Sequence, residues 1–242
     1  MEQRDGPPRF CNGCRISAKH NKMKIHLKIT MAAAAFAALV TPAIAGGVDV
    51  GLNVGTLGYG PQVGWTIVPN KFDARLSVGL LNYSYNTNSN GLQYNGHLKL
   101  QNAGLLADWH PFGGSFHLTA GAYYNGNKFD LTGQSSGGSY TINGNTYSAA
   151  EVGSVNANVS FNSLAPYLGI GWSNGGSGAG LHFTSDIGVM YQGTPSASVT
   201  ATNPTHNAQL AADVAASQAQ LQSDLNSFQW YPVLQFGVDY RF

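Results

Sequence analysis

Cys11 and Cys14 are the first residues whose types and spacing could do chemistry, since a C-x-x-C pair can exchange a disulfide or supply half of a zinc site. Each use needs company: a second pair for zinc, or a strand-to-helix context for redox work. The sequence offers neither. His182 and Asp186 fall on one face of an alternating segment, but four residues along a strand put them roughly 13 Å apart, too far for a catalytic pair. His117 would have to find a partner across strands. There is no G-x-S-x-G motif and no metal-spaced histidine cluster. No catalytic, cofactor-binding or metal site is expected, and the chain does not read as an enzyme.

The elements that would position these residues follow from composition. Only 10% of the 242 residues are charged, 43% are hydrophobic, 11% are aromatic and 31 are glycine. So few charges would solvate a water-soluble surface poorly, and so much apolar content argues against disorder. The remaining solvent is lipid. A spanning helix needs about 20 consecutive apolar residues, whereas the longest candidate here, Met31 to Val40, is ten. A closed barrel is the other structure that satisfies every backbone polar group inside a bilayer.

Residues 1–45 read as an N-terminal extension and cleavable signal peptide. Lys24 and Lys28 precede an apolar run from Ile29 to Val40, and Ala43-Ile44-Ala45 supplies a small-x-small cleavage site. Met23 is a more natural start than Met1, and the mature domain, 46–242, then contains no cysteine. Seven of the twelve Lys and Arg and two of the eleven acids precede residue 46, which leaves five positive and nine negative charges, a net of −4. Nucleic acid is not an expected partner.

From Gly46 onward apolar residues recur at every second position, which predicts strands. Trp230, Pro232, Leu234, Phe236, Val238, Tyr240 and Phe242 alternate with Tyr231, Val233, Gln235, Gly237, Asp239 and Arg241. One face suits lipid and the other a polar lumen. Seven further segments begin near Val48, Tyr59, Phe72, Gly96, Phe116, Leu164 and Leu181. The fourth, within Gly96 to Trp109, slips its pattern around Asn102, where a bulge is expected. The sum is an all-β fold, an eight-stranded antiparallel transmembrane β-barrel in the cell outer membrane. Trp65, Trp109, Trp172 and Trp230 near strand ends predict interfacial girdles. Glycines on the inner face, among them Gly169, Gly171, Gly188 and Gly237, are expected to leave local room.

Short turns at Pro69-Asn70, Pro111 to Ser115 and Ser173 to Ala179 should face the periplasm, and the longer loops the exterior. One long loop carries Asn143-Gly144, a type I′ hairpin signal. The last switches to a helical period at Leu210, Val214, Leu221, Leu225 and Phe228, predicting a helix over about 204–227 with Asn203 as N-cap and Pro204 first inside. The ionisable residues expected in the lumen are Asp49, Asp73, Arg75, His117, His182, Asp186, Asp239 and Arg241. Asp130, Glu151, Asp213 and Asp224 are expected as acids at the mouth.

Gly55-Thr56-Leu57-Gly58-Tyr59-Gly60, Ile142-Asn143-Gly144, Ala165-Pro166-Tyr167-Leu168-Gly169-Ile170-Gly171, Tyr191-Gln192-Gly193-Thr194-Pro195 and Trp230-Tyr231-Pro232-Val233 occur in an order that resembles the CarO family. That family is the carbapenem-resistance-associated outer-membrane proteins, also described as ornithine-uptake porins. The resemblance covers nearly all of 46–242 and implies an eight-stranded barrel with an elaborate extracellular region. It also implies passive uptake of small solutes, amino acids such as ornithine or glycine, with some carbapenem passage. The alternative is a closed structural or adhesive barrel acting through its extracellular loops. Expected partners are the solutes, outer-membrane lipids and lipopolysaccharide, and the outer-membrane assembly machinery, with the barrel a monomer.

Overall fold

The computed structural model describes residues 47–89, 92–135, 138–174 and 178–242. The expected extension and signal peptide at 1–45, Cys11 and Cys14 included, lie outside the described residues. The strands are β1 (Val48–Gly55), β2 (Gly58–Val68), β3 (Phe72–Ser89), β4 (Leu92–Trp109), β5 (Phe116–Asn125), β6 (Lys128–Ser135), β7 (Ser139–Ile142), β8 (Asn145–Ser148), β9 (Ser154–Ser160), β10 (Leu164–Ser173), β11 (Gly180–Tyr191), β12 (Ser196–Ala201) and β13 (Trp230–Arg241). The helices are α1 (Ala149–Val152) and α2 (Ala208–Leu225).

β1, β2, β3, β4, β5, β10, β11 and β13 pair antiparallel in that order, and β13 returns to β1 to close the ring. Closure leaves no open edge within the ring. The alternation read from the sequence is the one observed. In β13, Trp230, Phe236, Val238 and Tyr240 are exposed on the outer wall, while Val233, Gln235 and Asp239 are buried inside.

β3 and β4 are each 18 residues long, twice what a membrane strand needs. The bulge expected at Asn102 is absent: β4 keeps unbroken register with β3 from Leu92 to Trp109. What changes near Asn102 is the other neighbour. Asn102–Trp109 pair with β5, and Leu92–Lys99 pair with β6. A register shift does occur elsewhere, between Thr66 and Val68 in β2 against β3. Above the ring, β3 and β4 continue into a sheet completed by β6, β9 and β12.

Polarity inverts where that sheet leaves the ring. Along β3 the outward residues pass from Phe72, Leu76 and Leu80 to Asn82, Ser84 and Asn86, while the inward ones pass from Asp73, Arg75 and Ser77 to Leu81, Tyr83 and Tyr85. The same strand is apolar outside against lipid and then polar outside against water, with the switch between Leu80 and Asn82.

The apolar face of the upper sheet is covered at its far end by the β7–β8 hairpin and α2. Tyr140, Tyr147, Val152, Leu210 and Val214 form a buried cluster there, against Val155, Val199 and Ala201. The hairpin turn is as expected, with Asn143 at φ 49° and Gly144 at φ 83°. The helix start is not. Asn207, not Asn203, caps α2, its side chain accepting from the N–H groups of Gln209 and Leu210. Asn203 and His206 have positive φ and make a turn that holds Pro204 outside the helix. Gln218 and Gln222 on α2 accept from the N–H groups of Val199 and Ala197, which caps the open edge of β12.

Candidate functional site: the barrel lumen

The lower lumen, at the end carrying the short turns, is an ion-paired chamber. At its rim the Arg241 side chain donates to Asp49 from Nε at 2.5 Å and Nη2 at 2.7 Å, and His110 Nε2 lies 3.0 Å from Asp73. Further in, the Asp239 carboxylate accepts from Gln62 Nε2 at 2.7 Å, and His182 Nε2 lies 3.2 Å from the Gly178 carbonyl. Deepest is a buried cluster around Arg75. Its Nη1 donates to Asp186 at 2.6 Å and its Nη2 to Asp108 at 3.2 Å. His117 Nε2 is 3.0 Å from Asp186, and the Thr119 hydroxyl donates to Asp108 at 2.6 Å.

Register explains how these groups meet. Gly171 stands between His117 and Asp186 in the sheet. A β-carbon on it would lie 2.2 Å from His117 Nε2 and 2.5 Å from Asp186 Oδ1. Only glycine lets the two side chains reach each other across β10. The room expected at inner-wall glycines is therefore filled: at Gly171 by this pair, at Gly169 and Gly188 by the Tyr167 ring, and at Gly237 by Gln62.

Above the charged cluster the lumen turns apolar. Leu57, Leu106, Tyr123, Ala165, Tyr167, Met190 and Val233 form one buried layer, with the Tyr123 and Tyr167 rings edge to face at 5.5 Å. Leu57, fully buried, is the member that comes from a turn, the two-residue link between β1 and β2. Thr56 fastens that turn to β13, donating from its N–H to the Leu234 carbonyl at 2.9 Å and accepting at its own carbonyl from the Tyr231 hydroxyl at 2.7 Å. Below this layer lies a chamber of about 200 Å³ that opens among the turn residues Pro69, Asn70, Gly113 and Gly114.

All eight ionisable residues expected in the lumen face it, and six of them, with Asp73 and Asp49 at the rim, are joined by the contacts above or line the chamber. His182 and Asp186 do not meet, as their spacing required. His117 does find a cross-strand partner, and it is Asp186. Asp108, Thr119 and His110, also buried in the lumen, are not among the residues expected there. Asp108 was legible in principle, because Leu105 and Trp109 point outward and alternation then puts Asp108 inside.

Ligand atoms of Asp108, His117 and Asp186 lie within 4.8 Å of one another, a spacing a metal ion could use. The Arg75 guanidinium already holds both carboxylates, so a divalent ion would have to displace a fixed cation. The His117–Asp186 pair resembles half of a hydrolytic triad. Among the described residues no hydroxyl hydrogen-bonds the other ring nitrogen, Nδ1.

The four acids expected at the mouth do not form one cluster: among the described residues no two of them hydrogen-bond the same side chain. Asp213 is buried, accepting from Asn143 and Asn145 at 3.1 and 2.7 Å, from Gln209 at 3.2 Å, and from the Tyr147 hydroxyl. The Tyr147 hydroxyl bond, with the amide bonds, pulls its carboxyl down to about 2. The same bond pushes the Tyr147 phenol up to about 12. Glu151 closes a capping box on α1, and hydrogen bonds from Ser148 lower its carboxyl. Asp130 accepts from Asn158 on the outer face of the upper sheet, and Asp224 accepts from Gln220 at 2.8 Å.

No protein-family model matches the chain, and no curated protein sequence matches it. Solved structures do. CarO2 of Acinetobacter baumannii aligns with a TM-score of 0.56 at 25% identity, over 81% of this chain and 98% of that one. CarO of Acinetobacter baumannii aligns at 0.55 and 26%, over 84% of this chain and the whole of that one. The chain is a CarO-like β-barrel of the outer membrane.

Proposed function

We propose that this barrel is a channel for passive uptake of small solutes, preferring basic amino acids such as ornithine, and that the apolar layer around Leu57 is its gate. The observation that supports this best is the asymmetry of the lumen. A charged chamber open at the short-turn, periplasmic end gives way to the apolar layer around Leu57, beyond which the buried Asn102 donates to the Leu57 carbonyl at 3.1 Å. A structural barrel has no need of a chamber, since side chains can fill an eight-stranded interior throughout.

The preference follows from charge. Asp49, Asp73, Asp108, Asp186 and Asp239 face Arg75 and Arg241 in the lumen, an excess of acids that attracts cations. The closed layer is also imperfectly satisfied, because the buried Tyr167 hydroxyl lacks a hydrogen-bond partner among the described residues. An unmet hydroxyl costs about 1–3 kcal/mol and so favours rearrangement. The same layer supports a second reading, a permanently closed barrel that acts through its extracellular sheet. Swelling of liposomes carrying the refolded protein separates the two. The channel reading expects faster swelling in ornithine than in glycine, and faster in either than in a neutral sugar of similar size. Swelling no faster than in empty liposomes for all three would support the closed barrel.

A further inference from the structure

We propose that Lys99 and Lys128 form a binding site for a phosphate group carried by an outer-leaflet glycolipid, lipopolysaccharide in a Gram-negative outer membrane. After residue 46 the chain has five Lys and Arg. Arg75 and Arg241 are ion-paired in the lumen, and Lys71 lies in the turn at the periplasmic end. The two that remain are placed directly opposite each other, Lys99 on β4 against Lys128 on β6.

Like charges at paired positions repel and destabilise a sheet unless something offsets them. Among the described residues neither ammonium has an ion-pair or hydrogen-bond partner. Asp130, the next outward residue along β6, is engaged by Asn158, and His97 opposite it lies 2.8 Å from the Ser84 hydroxyl. Asp130 makes no ion pair with either lysine, and an anion bound between the two ammonium groups would offset their repulsion directly.

The height of the pair identifies its source. Both lysines point to the outer wall. Lys99 pairs with Asn82, and the next outward residue below it, Gln101, pairs with Leu80, so the lysines stand one step above the point where the wall changes from apolar to polar. Beneath them Leu80, Leu105 and Tyr124 are 44%, 60% and 60% exposed. That wall fits acyl chains with an interfacial tyrosine at their head. An anion fixed at this level is the headgroup phosphate of the lipid whose chains lie on that wall, and basic residues just outside the apolar band attract such headgroups.

The test uses the full mature barrel in detergent micelles, titrated with phosphorylated lipid A or its dephosphorylated form and read by native mass spectrometry. Heat-modifiable gel mobility confirms folding. The wild type should retain the phosphorylated form preferentially. Lys99→Gln with Lys128→Gln should weaken that retention about tenfold to thirtyfold and abolish the preference, whereas Lys71→Gln should change nothing. Lys99→Arg with Lys128→Arg should keep it. The proposal is overturned if the double Gln variant retains the preference, or if inorganic phosphate displaces the glycolipid, which would mark a soluble-anion site. Should the Gln variant fail to fold, the dephosphorylated lipid on wild type and the Arg variant still decide.

Discussion

Removing the Arg75 guanidinium would leave the Asp186 and Asp108 carboxyls facing each other without their cation where both are more than nine-tenths buried. A buried charge stripped of its partner costs about 3–5 kcal/mol. Arg75→Met, which keeps the stem but not the charge, should therefore lower the unfolding free energy of the refolded barrel in urea by an amount of that order, with a lower midpoint, while Asp108→Asn in the Arg75→Met background should restore part of it. Equal midpoints for wild type and Arg75→Met would show that the cluster contributes nothing to stability. At this scale the sequence was informative. Alternation sent Asp49, Asp73, Arg75 and Asp239 inward, and nothing beyond the period of two was needed. It could not show which inward charges meet, because pairing depends on cross-strand register and on Gly171, whose missing side chain is what joins His117 to Asp186.

Among the elements, the hairpin and α2 of the cap are joined at Asp213, which accepts from Tyr147 on β8 and from Asn143 and Asn145. Asp213 is held down near 2 in the folded protein, against roughly 3.9 when unfolded, so its contribution is complete above about pH 4 and is lost as pH falls toward 2. Tyr147 is held up near 12, against roughly 10 unfolded, so its contribution is complete below about pH 10 and is lost as pH rises toward 12. The cap should be most resistant to protease between those limits, with cleavage near residues 203–207 rising outside them. Asp213→Asn should remove the acid limb of that profile and leave the ring intact. A profile flat from pH 3 to 11 in the wild type would contradict this role.

The sequence located this cap only in outline. Asn143-Gly144 announced its hairpin, and the leucine and valine spacing announced its helix. Asn203-Pro204 drew the helix start four residues early, because the cap is decided by which side chain reaches the first free N–H groups, and Asn207 does. β6, β9 and β12 were hidden in what read as long loops. Their inner face is apolar and their outer face polar, the reverse of the membrane strands, so a search for apolar residues facing lipid passes over them.

For the whole molecule, an antiparallel barrel follows from the alternation, the ring of the fold closes as that requires, and the CarO likenesses agree with a β-barrel. The closure of the lumen was not legible, since it depends on a turn residue, Leu57, and on rings that lie flat over glycines on neighbouring strands. The claim that this layer is a gate, and not merely a core, is tested most directly by opening it. Leu57→Gly combined with Tyr167→Ala removes two of its members without touching the charged chamber. Liposomes carrying the folded double variant should swell several times faster than wild type in ornithine, with ornithine still ahead of the neutral sugar. A folded variant no more permeable than wild type would contradict the gate, and the barrel would then be closed by its whole interior.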